Sequence, residues 1–148
     1  MSVNSIQLES ANLIADKALQ KARELKFAPM TVVVLDAGGH AKVLKREDHA
    51  SLLRPEIAMG KAWGVLGMGF GGRELARRAE QMPAFFIALN AMSDGRMVPV
   101  AGGVLVRNSE GQVIGSVGIS GDTSDNDETC AVYGIEAAGL TADAGRKA

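Results

Sequence analysis

The sequence predicts an α/β fold of the α+β kind: an antiparallel sheet of about five strands flanked by helices, in one domain over residues 1–148. Three observations carry this. Two β-branched hairpins stand apart in the chain, segments of helical period lie before, between and after them, and no regular strand–helix–strand alternation marks a doubly wound parallel sheet. A chain of 148 residues, 47% hydrophobic but only 4% aromatic, can bury a core built from small aliphatic side chains.

Leu8, Ala11, Ala15, Ala18, Ala22 and Leu25 step by three and four, which puts a small-residue stripe on one face of a first helix that Pro29 is expected to stop. Met30 to Asp36 is a β-branched run apolar on both sides, as in a central strand covered on both faces. Ala37, Gly38 and Gly39 form the turn, and Ala41 to Arg46 returns as its hairpin partner. Residues Ser51 to Leu66 carry apolar side chains at helical spacing. Arg73 to Gln81 and Ala84 to Met92 read as two shorter helices broken by Pro83. The second hairpin pairs Gly103 to Arg107 with Gln112 to Ser120, and in the latter Val113, Val117 and Ile119 are expected to share a face. A last helix begins near Ser124, with acids in its first turn, and runs to about Leu140.

The formal charge of −1, with acids and bases mixed along the chain, provides no footprint for a phosphate backbone, so nucleic acid is not expected as a partner. No stretch reaches the roughly 20 apolar residues of a spanning helix, and residues Met1 to Ser10 lack the pattern of a secretory leader. A cytoplasmic protein without a membrane partner is the expectation. The single cysteine, Cys130, rules out an internal disulfide and reads as a core residue.

Glycines at Gly102, Gly103, Gly118 and Gly121 sit in or beside strands, where each weakens the sheet. Two readings follow: a ligand lying on bare backbone, or a helix packed tightly on the sheet. Gly60, Gly64 and Gly67 likewise open a groove on the second helix, beside which Lys61 could ion-pair, hold a carboxylate or react as a desolvated amine. No glycine cluster forms a P-loop or dinucleotide fingerprint. Asp125, Asp127 and Glu136 resemble a calcium loop only faintly, because Cys130 stands where that loop needs glycine. His40 and His49 flank the second strand and are expected to reach one end of the sheet, as bases, metal ligands or haem axial ligands.

Three stretches together resemble the GlcG/HbpS family, which includes the C-terminal domain of PduO-type corrinoid adenosyltransferases. They are Asp36-Ala37-Gly38-Gly39-His40 leading to Arg46-Glu47-Asp48, then Ile57 to Ala62, and then Gly102-Gly103-Val104 through Ile114 to Gly121 and on to Asp127. The resemblance implies a profilin-like sheet and a homo-oligomer, with an octamer as one expected state. It also implies small-molecule binding in some members, with haem as the candidate cofactor and His40 or His49 as candidate iron ligands. The expected pocket lies between Gly102, Gly103, Gly118 and Gly121, the second helix and Arg46, where Arg46 and Lys61 would hold an anionic group. The alternative is an enzyme acting on a small carboxylate or aromatic catabolic intermediate, with Lys61, His40 and Asp127 as candidate acid–base groups.

Overall fold

The computed structural model of the chain describes residues 4–146. Its elements, in order, are α1 (Leu8–Glu24), β1 (Thr31–Asp36), β2 (Ala41–Arg46), α2 (Arg54–Met68), α3 (Gly72–Gln81), α4 (Pro83–Met92), β3 (Gly103–Arg107), β4 (Val113–Ser120), α5 (Ser124–Ala137) and β5 (Thr141–Asp143). The five strands form one sheet in the order β2-β1-β4-β3-β5, with every neighbouring pair antiparallel. The expected sheet with flanking helices is therefore present, and β1 lies inside it, buried on both faces.

Alternate residues of the central strands feed two cores. Val32, Val34, Val104, Val106, Val117 and Ile119 face α1 and α5, where the buried residues Ala11, Ala15 and Ala18 let the helix lie close. Val33 and Leu35 face Ala58 and Ala62 of α2, and Leu105 joins Val65, Leu75, Phe86 and Met97 on the same side.

Four local expectations change. α1 ends at Glu24, well before Pro29, because Lys26 adopts a left-handed conformation (φ 59°) and turns the chain out. α5 stops at Ala137, short of Leu140: Gly139 (φ 78°) turns the chain back, and Thr141–Asp143 then form β5, which pairs along β3. No strand pattern is readable in three residues, so the sequence did not place it. A register shift between Val106 and Arg107 lets Arg107 pair with Val113 while Val106 pairs with Gly115. Through that bulge Ile114 takes the α1/α5 face expected of Val113, and Val113 packs on the opposite cluster. Finally, His40 lies at the turn of the β1–β2 hairpin and His49 beyond its open end, since Thr31 pairs with Arg46 and Leu35 with Ala41. The strand between them spans about 20 Å at ~3.3 Å per residue, so the two histidines reach opposite ends of the sheet.

Candidate functional site

The glycine notch is filled by the protein itself. A Cβ on Gly118 would collide with the Ala58 carbonyl oxygen, one on Gly103 with the Lys61 carbonyl, and one on Gly121 with the backbone at Pro29 and Met30. These glycines allow α2 and the segment leading into β1 to lie directly on the sheet, and the Ser116 hydroxyl donates to the Ala62 carbonyl across the same contact (2.8 Å). Gly102 has φ 107°, a conformation that favours glycine, and it leaves room for the Lys61 side chain. Of the two readings of the glycines, tight packing of α2 on the sheet is the one the geometry realises at Gly103 and Gly118.

Lys61 and Asp127 form a buried ion pair. Their side chains are only 3% and 1% exposed, Nζ lies 3.0 Å from Asp127 Oδ2, and Nζ also donates to the Ile119 carbonyl at 2.9 Å. Asp127 Oδ1 in turn accepts from the Asp122 backbone N–H at 2.9 Å, so the pair pins the start of α5 to the middle of α2. Burial pushes the Lys61 ammonium down and the Asp127 carboxyl up from their ordinary values, and their mutual attraction opposes both shifts. Neither side chain lines any of the three clefts of about 450 to 560 Å³. The other acids at this helix start are also engaged: Asp125 with Arg73, and Asp122 with the Ala28 backbone N–H. Among the described residues no group of three or more His, Cys, Asp or Glu side chains is placed to hold a metal ion. Burial pushes the Cys130 thiol up to about 12, which leaves it an inert core residue.

Arg46 lies away from Lys61. Its guanidinium donates to the Ala50 carbonyl, and it lines an open polar cleft of about 450 Å³ together with Arg23, Glu47 and His49. His49 is held there with φ 72°.

A cleft of about 560 Å³ lies on the α2 side over the edge strand β2. Leu44, Pro55, Met59 and Trp63 give it an apolar lining, and Glu56 and Arg96 bring charge to it. The segment after α4 forms one wall because Gly60 and Gly64 admit it: their missing side chains make room for Val98 and Met97, and Val98 N–H donates to the Gly60 carbonyl at 3.1 Å. So the groove on α2 receives this chain's own backbone, while Gly67 faces open space. The seating of that segment holds the Arg96 guanidinium 4.3 Å from the centre of the Trp63 ring. Gly39, at the hairpin turn, also lines the cleft, and His40 is the next residue in the chain but is not part of that lining. Asp36 Oδ1 accepts from the backbone N–H groups of Gly38 and His40 and lies 3.3 Å from His40 Nδ1. Sequence reasoning had missed Trp63, Arg96 and Leu44 as a group, because they come from a helix, a loop and an edge strand that share no motif.

Residues 6–136 match the family described as haem degrading protein HbpS-like. The chain belongs to the HbpS-like family. Among its relatives is a 15.0 kDa protein of Citrobacter freundii from the dhaT–dhaS intergenic region, 31% identical over 90% of this chain and 92% of the relative. The corrinoid adenosyltransferase PduO of the same organism is 30% identical over 90% of this chain, which spans only 39% of the enzyme's length. The crystal structure of a PduOC–haem complex superposes with a TM-score of 0.83 at 27% identity, covering 92% of this chain and 96% of that one.

Proposed function

We propose that this HbpS-like chain is a small-molecule-binding protein that takes haem, and that the Trp63 cleft is its site. The observation that carries the reading is the Trp63–Arg96 stack at the rim of an apolar cleft of about 560 Å³. That volume lies within the range of about 300–1,000 Å³ typical of ligand pockets. A flat macrocycle with acidic side groups suits this combination. Leu44, Pro55, Met59 and Trp63 would contact the apolar ring, and Arg96 would pair with a propionate. Met59 is an available thioether in the wall. His40, next in the chain to the lining residue Gly39, has Nδ1 turned to Asp36, the carboxylate partner that would orient a ligating imidazole and leave Nε2 for iron. His49 is a weaker candidate in this arrangement because it belongs to the polar cleft with Arg46. When bound, haem supplies an iron centre and a redox-active macrocycle; these residues seat it and hold its charge. The PduOC–haem complex supports the same ligand class through its fold and sequence. A cytoplasmic homo-oligomer is part of the same proposal; no helix among the described residues is long and apolar enough to cross a membrane.

The test is a haemin titration followed by absorbance. Wild-type protein is expected to give saturable binding with a shifted Soret band. Arg96→Ala is expected to weaken affinity about tenfold, the scale of one charge-assisted hydrogen bond. His40→Ala or Met59→Leu should move the Soret maximum, whichever side chain ligates the iron. Nonsaturable uptake by the wild type would remove haem from the reading. Unchanged affinity in Trp63→Ala would remove this cleft.

A further inference from the structure

Helix α4 has the wrong surface for a helix facing water. None of its ten residues is charged, yet only Phe86 is buried. Phe85 is 50% exposed, Ile87 71% and Met92 76%. At 100° per residue, the outward arc runs from Ile87 across Ala91, Ala84 and Ala88 to Met92 and Phe85, all of them exposed. The three alanines make a shallow channel between larger apolar ridges, the relief into which another helix packs. Phe85 is braced edge-on against the anchored Phe86, with ring centroids 5.9 Å apart, so this ridge is supported from below. The exposed face amounts to on the order of 500 Å², at the upper end of the ~300–600 Å² of a typical monomer's largest apolar patch. It is also more than half of the ~800 Å² that each partner contributes to a standard stable interface.

We propose that this face of α4 is where two copies of the chain meet, with their α4 helices antiparallel about a twofold axis near Ala88. This rests on the homo-oligomer part of the reading above and is independent of haem. Two features favour a second copy over another occupant. An isologous contact sets each patch against itself, which an uncharged surface tolerates and a charged one resists. In addition, the ends of the helix complement each other. The N-cap position of α4, Met82, provides no side-chain hydrogen bond to the first turn, so its backbone donors lack a side-chain cap. Exposed Asp94 lies just beyond the other end. An antiparallel twofold through Ala88 brings the partner's acidic end to this uncapped N-terminus, where a carboxylate suits the positive end of the helix dipole.

The experiment measures mass by light scattering on the full chain, and cross-linking in Ala88→Cys. Ala88→Glu places two like charges at the axis and is expected to halve the wild-type assembly. Ala88→Cys is expected to form an intermolecular disulfide under mild oxidation, while Glu9→Cys on α1 does not; the native Cys130 is fully buried and cannot compete. Asp94→Asn, which removes the charge and still suits the left-handed backbone there (φ 58°), should weaken association several-fold without altering the monomer's fold. Should Ala88→Glu fail to fold, the cysteine variant decides. A wild-type oligomer whose mass is unchanged in Ala88→Glu and that does not cross-link through Cys at position 88 overturns the α4 interface alone. A monomeric wild type at high micromolar concentration overturns the homo-oligomer reading with it, as does a monomer that instead binds lipid vesicles through α4.

Discussion

The two faces of this sheet are covered with equally small residues but to different ends. On one face, α1 and α5 lie side by side and in contact: Gly134 of α5 touches the Ile14 carbonyl and Ala18 of α1, and Ala11, Ala15, Ala18 and Ala22 are fully buried. On the other, α2 presses on the strands through Gly103 and Gly118, α3 reaches β3 alone, through Gly72 and Leu75, and α4 packs on α3. One helix and the start of a second are too narrow to cover five strands. The edge strand β2 is left uncovered on that side, with Leu44 47% exposed, and α4 turns apolar side chains outward. The closed face holds the fold together, and the cleft and the apolar helix are both consequences of incomplete cover on the other.

The comparison breaks most severely at the ion pair that ties α5 on the closed side to α2 on the open one. Asp127→Ala strands the buried Lys61 ammonium and should cost about 3–5 kcal/mol, measured by urea unfolding. The double change Lys61→Met with Asp127→Leu removes both charges, and should recover most of that loss. If the single and double variants were equally unstable, the packing of α5 and not the charge would be the cause.

Next come the close approaches. Gly118→Ala on the open side and Gly134→Ala on the closed side each place a methyl against backbone of a neighbouring element, Ala58 and Ile14. Each should cost about 1–3 kcal/mol as overpacking. A large cost on one side only would show that the other contact yields. Gly67→Ala is the internal control. It is helical with nothing near its added methyl, and should stabilise the fold by about 0.5–1 kcal/mol.

The smallest effect concerns α3, on the perimeter of the open side. Hydrogen bonds from Arg77, and then from Arg78, hold the Glu74 carboxyl down to about 2 from its usual 4.5. A carboxyl depressed on folding contributes stability above its unfolded value and loses it as pH falls through the folded one. The helix should therefore loosen between about pH 4.5 and 2, and Glu74→Gln should flatten that part of the acid-unfolding curve.

Legibility followed the range of the interactions. The hairpins were readable because Gly38-Gly39 and Asn108-Ser109-Glu110-Gly111 lie between β-branched runs, and the helices because apolar residues recur at their own period. β5 was not, since three residues become a strand only when β3 offers its edge. The glycines announced close approach but not the object approached; only the fold places Ala58 over Gly118. The same holds for Lys61: an ion pair was one of its readings, but its partner, Asp127, lies 66 residues away.

By itself, then, the sequence determined the antiparallel sheet with flanking helices and the family, because periodicity, turn chemistry and the Asp36–His40 and Gly102–Asp127 stretches are properties of neighbouring residues. Tertiary structure alone decided that the glycine notch is packed, that His40 and His49 lie apart, and that Trp63, Arg96 and Leu44 share a cleft. The reason is physical. Local signals specify how each segment folds, whereas a site is made of distant segments whose meeting depends on how closely α2 can approach the sheet.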